Sequence, residues 1–145
     1  MKSLSYSAVF PIILSDDKSK ILLHKRKNTG YCDGFWDTAA SGHVDVGESA
    51  KSAAIRECAE EIAIEVTADD LEFVHMSHNT YEDDKSYYHI YFLVNEYQGK
   101  PTINEPKKAE ELDWFDLDAL PEMVPARKIA IEAWKDNISY IEIWN

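Results

Sequence analysis

Residues 42–64 constrain this chain more than any other stretch. They read Gly42-His43-Val44-Asp45-Val46-Gly47-Glu48, then seven residues, then Arg56-Glu57-Cys58-Ala59-Glu60-Glu61-Ile62-Ala63-Ile64. From about residue 50 the pattern is helical. At about 100° per residue, Glu57 and Glu61 fall about 40° apart, and Glu60 flanks the same arc. Ala54, Ile55, Cys58, Ala59 and Ile62 cover the neighbouring arc. One face can therefore pack while the next carries clustered negative charge. Like charges at i,i+4 cost a bare helix a few tenths of a kcal/mol. A multivalent cation between them reverses that sign. Magnesium suits such a cluster, because it takes oxygen ligands and shares its shell with substrate phosphates. Taken alone, acids in this number more often form a solvated helix face.

The wider spacing goes further. Gly42, five residues, Glu48, seven residues, Arg56-Glu57, an apolar residue, any residue and Glu60-Glu61 follow the Nudix box. On these positions the chain resembles the Nudix hydrolase superfamily. Two departures concern loops. Ala63 stands where the family usually has glycine, and Ala39-Ala40-Ser41 precedes Gly42 where many members carry Leu-Pro-Gly. The likeness also extends beyond the box. Lys25-Arg26-Lys27-Asn28-Thr29-Gly30-Tyr31 and Gly34-Phe35-Trp36-Asp37 resemble the strand and loop leading into it. Gly99-Lys100-Pro101 and Asn104-Glu105-Pro106-Lys107-Lys108 resemble a late loop that often brings another metal-binding glutamate. Residues 111–115 and 117–121 resemble the late strand and turn. The resemblance implies one domain over residues 1–145. Its fold class would be α+β, an α/β/α sandwich with a mixed β-sheet between helices and the box as loop-helix-loop.

The resemblance also implies roles. Glu57 and Glu61 are the core metal ligands, and Glu60 is a further ligand or water-activating group. The Gly42 carbonyl adds a ligand. Arg56 ties Glu48 to the helix and supports the ligands. Glu105 is the first choice for the late glutamate, with Glu110 and Glu111 as alternatives. Arg26, Tyr31, Phe35 and His43 are candidates for substrate contact, while Trp36 is assigned to the core. The implied reaction is Mg²⁺-dependent hydrolysis of a diphosphate linkage in a nucleoside diphosphate derivative, with Mn²⁺ as a substitute. NTPs or dNTPs, ADP-ribose and nucleotide sugars are all candidate substrates. Two alternatives stand beside this. An isopentenyl-diphosphate isomerase shares the fold, and Trp36-Asp37-Thr38 with Ser41-Gly42-His43 faintly resembles its segment, but Ala40 and Ser41 supply no cysteine. A non-catalytic nucleotide-binding module would be expected to lose box carboxylates, and all are present.

Bulk properties narrow the partners. A net charge of −12 over 145 residues argues against a nucleic-acid polymer, since phosphate backbones require Lys/Arg patches. It does not exclude a small phosphorylated ligand beside a bound cation. No apolar run reaches about 18 residues, so no membrane span is expected. Cys32 and Cys58 form no metal or redox motif, and Cys58 falls on the packing face of the helix. A disulfide is not expected, which suits a reducing cytoplasm. A homodimer is compatible with this reading.

The remaining pattern predicts strands at residues 7–14, 20–27, 36–44, 71–81, 87–97 and 111–115. Pro11 suggests an edge or bulge in the first. The 71–81 and 87–97 strands pair through an acidic turn at 82–85. A first helix over 50–63 starts from Ser49 as N-cap. A second, over 124–136, has Pro125 in its first turn. Residues 138–144 are extended and apolar.

Overall fold

The computed structural model of the chain describes residues 1–81 and 84–144. The described elements run β1 (Ser5–Ile12), β2 (Lys20–Arg26), β3 (Trp36–Thr38), β4 (Gly42–His43), α1 (Ala50–Ile62), β5 (Leu71–Thr80), β6 (Ser86–Val94), β7 (Ala109–Asp116), α2 (Pro125–Lys135) and β8 (Tyr140–Ile143). A five-stranded mixed sheet has the order β4-β1-β6-β5-β8, and a three-stranded antiparallel sheet has the order β3-β2-β7.

The reason lies in β1. Its residues 8–12 are all buried, the signature of a strand covered on both faces. Side chains alternate along it. Val9 packs with Ala53, Ala54, Cys58 and Ile62 of α1, whereas Ala8, Phe10 and Ile12 pack with Ala130 and Ile131 of α2. The helices therefore cover opposite faces of the mixed sheet, as the α/β/α expectation required. β2 repeats the pattern, with Leu22 in the first cluster and Ile21 and Leu23 in the second.

Pro11 lies on β1 beyond the two-residue register with β4, so β1 has a locally open edge there. The C-terminal segment finds its partner: β8 runs parallel to β5, with Met76 opposite Tyr140. The 36–44 stretch divides into β3 and β4, which join different sheets around Ala39-Ala40-Ser41. β7 is eight residues long, longer than the sequence pattern marks. Of the expected acidic turn, Glu82 and Asp83 lie outside the described residues.

Candidate active site

The first turn of α1 is capped by Ser49, whose Oγ accepts from the Ser52 N–H at 3.1 Å. The helix buries Ala53, Ala54, Cys58 and Ile62, leaves Glu60 exposed, and half-buries Glu57 and Glu61. Arg56 organises the neighbouring acids. Its Nε donates to Glu48 Oε2 at 2.8 Å and its Nη2 to Glu48 Oε1 at 3.0 Å, a two-point clamp. Nη1 donates to Glu57 Oε1 at 2.6 Å and Glu60 Oε2 at 3.3 Å, and Nη2 also reaches the His43 carbonyl at 3.1 Å. One guanidinium thus joins Glu48 and the His43 carbonyl of the preceding segment to two carboxylates of the helix. Arg56 and the Asp45 N–H hold the Glu48 carboxyl down to about 2.

Glu61 faces inward from the same helix. Its Oε1 accepts from the Ser41 N–H at 2.7 Å, and its side chain meets that of Glu57. Desolvation pushes its carboxyl well above the carboxylate range, the Ser41 N–H opposes this, and Glu57 and Glu105 push it further. A Cβ on Gly42 would collide with the Glu57 side chain, so any larger residue here would push that carboxylate out of place. Among the described residues no group of three His, Cys, Asp or Glu side chains stands ready to hold a metal ion. Arg56 occupies oxygens of Glu57 and Glu60 as they stand. The donor chemistry nevertheless fits a hard cation. These are oxygen donors only, and two adjacent carboxylates, Glu57 and Glu61, share one site.

The late loop reaches this place through backbone chemistry. The last carbonyls of a helix lack intrahelical partners. Here Asn104 N–H donates to the Glu61 carbonyl at 2.9 Å, Thr102 N–H to Ile62 at 3.0 Å, and Asn104 Nδ2 to Glu60 at 3.0 Å. The loop is therefore laid along the end of α1. Glu105 follows directly and lines a small cavity with Glu61 and His24. Glu110 instead sits at the surface, 3.9 Å from Lys25 Nζ, and Glu111 is exposed on β7. The helix itself ends in the left-handed conformation at Ala63, with φ of 57°.

Beside the acids lies a cleft of about 450 Å³. Tyr31, Tyr81, Tyr87, His43 and Phe10 form its sides, and Arg127 and His89 lie deeper. Ser41 and Gly42 line it as well. Those two residues therefore belong both to the cleft and to the contacts of Glu61 and Glu57. Asp37, which also lines the cleft, is buried with Arg127 Nε at 2.7 Å and Arg26 Nη1 at 3.1 Å. Burial alone would raise Asp37, but Arg127, His24 and Arg26 outweigh it and hold the carboxyl below its ordinary value. Arg26 also donates from Nε to the Tyr31 carbonyl at 2.8 Å and so anchors the loop that presents Tyr31.

Of the sequence candidates, Arg26, Tyr31 and His43 line the cleft. Phe35 does not: it is half-buried and outside the lining, because the turn at Gly34 (φ 88°) directs the chain into β3. Trp36 packs edge-on to Phe115, in the core as assigned. Tyr81, Tyr87, His89, Asp37 and Arg127 were not singled out by the sequence. One signal for them existed. Tyr87, His89 and Tyr91 recur at every second position of β6, so a polar aromatic stripe marks one sheet face.

The family described as NUDIX domain matches residues 5–134. The NAD-capped RNA hydrolase NudC of Edwardsiella ictaluri is 26% identical over 142 residues, which is 95% of this chain and 51% of that protein. NudC of Pseudomonas putida is 30% identical over 128 residues, covering 87% of this chain and 43% of its own. The chain thus spans about half the length, or less, of these curated relatives. The crystal structure of a MutT NUDIX hydrolase from Burkholderia pseudomallei superposes with a TM-score of 0.77 at 28% identity, covering 90% of this chain and 98% of that one.

Proposed function

The chain belongs to the NUDIX domain family, and from that premise we propose that it hydrolyses the diphosphate linkage of a small nucleoside diphosphate derivative with the help of Mg²⁺. The observation that carries this is the sharing of Ser41 and Gly42: the same two residues border the aromatic cleft and touch Glu61 and Glu57. A nucleoside seated in the cleft would place its diphosphate against the carboxylates of α1.

Glu57 and Glu61, with Glu60, the Gly42 carbonyl and Glu105, would hold the cation. When bound, Mg²⁺ supplies charge neutralisation to the diphosphate and acidifies water. Glu48 and Arg56 keep the helix acids in place. Arg26 and His43 lie at the cleft where phosphate oxygens would pass. One of the helix carboxylates takes the proton from the attacking water as its oxygen bonds to phosphorus and the bridging P–O bond breaks. Positioning and charge do most of this work.

Relatives named as NAD-capped RNA hydrolases raise a polymer substrate as a contrast. The net charge of −12 supports a small molecule instead. The test is a panel of NTPs, dNTPs, ADP-ribose and nucleotide sugars, read by product identity with and without Mg²⁺ or Mn²⁺. Metal-dependent release of a nucleoside monophosphate from at least one is expected. Binding without turnover would favour the non-catalytic module. Turnover of isopentenyl diphosphate alone would favour the isomerase.

A further inference from the structure

The deep end of the cleft is built from hydrogen-bond donors. Arg127 is buried; its Nε donates to Asp37 Oδ1 at 2.7 Å and its Nη1 to Tyr91 Oη at 2.9 Å and His89 Nδ1 at 3.4 Å. A guanidinium cannot accept, so His89 Nδ1 must, and the ring hydrogen sits on Nε2. Burial and the neighbouring Arg127 keep this imidazole neutral. Nε2 faces Tyr81 Oη at 3.4 Å. That hydroxyl therefore accepts from His89, and its own hydrogen is left for the cleft.

Both oxygens of the neighbouring Asp37 carboxylate are paired. Asp37 Oδ1 takes Arg127 Nε and the Thr38 N–H, and Oδ2 takes Arg26 Nη1. Arg127 Nη2 carries no hydrogen bond among the described residues. The floor thus offers hydrogens from Arg127 and Tyr81, while the Asp37 carboxylate that lines it is paired at both oxygens and only 1% exposed. Flat aromatic sides stand above it, with Tyr87 5.1 Å from Tyr81 between ring centres.

We propose that this floor reads the acceptor edge of a 6-oxopurine, so that the cleft prefers guanine and hypoxanthine nucleotides to adenine nucleotides. A 6-oxopurine presents O6 and N7 side by side as acceptors, the pair that arginine matches best. Adenine puts an amino donor where O6 stands. Donor would then face donor, and buried polar groups would lose their partners. The inference rests on the proposed function, since it takes the cleft as the seat of the nucleoside.

Inosine and adenosine monophosphates differ at C6 and isolate the effect. Calorimetric titration of IMP, GMP and AMP into the full chain, without metal, is the test. IMP and GMP should bind about tenfold or more tighter than AMP, the scale of one well-matched base contact. Tyr81→Phe keeps the ring and removes the hydroxyl donor; it should shrink the IMP/AMP ratio without a change in melting temperature. Arg127→Lys keeps the charge beside Asp37 and should shrink the ratio further. Should that variant not fold, the wild-type and Tyr81→Phe titrations decide. Equal binding of IMP and AMP, tighter AMP, or no binding of any of the three overturns the proposal. Hydrolysis across the substrate panel without base preference would overturn it while leaving the hydrolase reading intact. A 6-oxo preference in binding with no turnover of any diphosphate would do the reverse.

Discussion

Glu61 is the residue on which the candidate site turns. It is half-buried, holds the Ser41 N–H, and sits against a second carboxylate. Its folded-state carboxyl is raised above 4.5, first by desolvation and then by Glu57 and Glu105. The stability it contributes is therefore present below the unfolded pKa and lost as pH rises through the raised value. At pH 8 without metal, the fold keeps protonated a carboxyl that the unfolded chain ionises, which costs stability. Glu61→Gln should then raise the melting temperature of the metal-free chain at pH 8 and change it little at pH 4. A lowered melting temperature at pH 8 would count against the strained pair. Activity should move the other way. Glu57→Gln and Glu61→Gln should each lower kcat by at least about 10²-fold, the scale of losing charge stabilisation at a reacting centre. Near-normal turnover in either would remove it from the site. Glu105 and Glu110 give a sharper contrast, because the fold places them differently. Glu105 shares a cavity with Glu61, whereas Glu110 pairs with Lys25 at the surface. Glu105→Gln should raise the Mg²⁺ concentration for half-maximal rate, and Glu110→Gln should not. The reverse result would shift the register of the late loop.

At the scale of elements, α1 and its two flanks decide the geometry. Its end is a strained point. Ala63 adopts φ 57°, and a left-handed non-glycine residue costs roughly 1–2 kcal/mol. Glycine would relieve this but would add about 0.4–1 kcal/mol of unfolded-chain entropy. The strain outweighs that entropy, so Ala63→Gly should stabilise by a few tenths to about 1 kcal/mol and raise Tm by a few degrees. A fall in Tm would mean that the alanine methyl packs usefully against the loop at Gly99. The helix was legible in the sequence because its acids, its packing face and its Ser49 cap obey one 3.6-residue period. The left-handed end was legible in part, as the place where glycine is expected and alanine stands. The position of Glu105 was legible through family resemblance alone. No local pattern reveals that Asn104 and Thr102 hydrogen-bond the last carbonyls of α1. The division into two sheets was hidden for a similar reason. β3 and β4 are three and two residues long, too short for alternation to register. The cleft was hidden because Tyr31, Tyr87 and Arg127 are brought together only when β6 and α2 meet the loop after β2.

Across the whole molecule, charge and buried histidine pull stability in opposite directions as pH falls. Protonating carboxylates reduces the self-repulsion of a chain with net charge −12, which favours the compact state. Three of the five histidines oppose this: His24, His75 and His89 are buried. Desolvation lowers all three, and at His89 Arg127 adds to it, bringing that imidazole down to about 3. A histidine with a depressed folded pKa contributes stability above its unfolded value of 6.5 that is lost as pH falls toward the folded one. Each such group steepens the decline by at most about 1.4 kcal/mol per pH unit. The histidine effect should dominate between pH 6.5 and about 4.5, because most carboxylates protonate below that window. Asp37, held low beside Arg127, extends the loss further into acid. The titratable and charged groups facing His89 among the described residues include Arg127, Asp37, His43, Tyr81 and Tyr87. Chemical denaturation at a series of pH values isolates the His89 contribution. The repulsion of the whole chain is common to wild type and His89→Gln, so it cancels in the difference. His89→Gln should therefore flatten the decline between pH 6.5 and 4.5 by close to one proton's worth of slope, whatever its effect on stability at pH 7.5. An unchanged slope would mean that His89 titrates normally in the folded chain. It would then be protonated in mild acid, and the neutral ring that Arg127 and Tyr81 require at the cleft floor would not persist there.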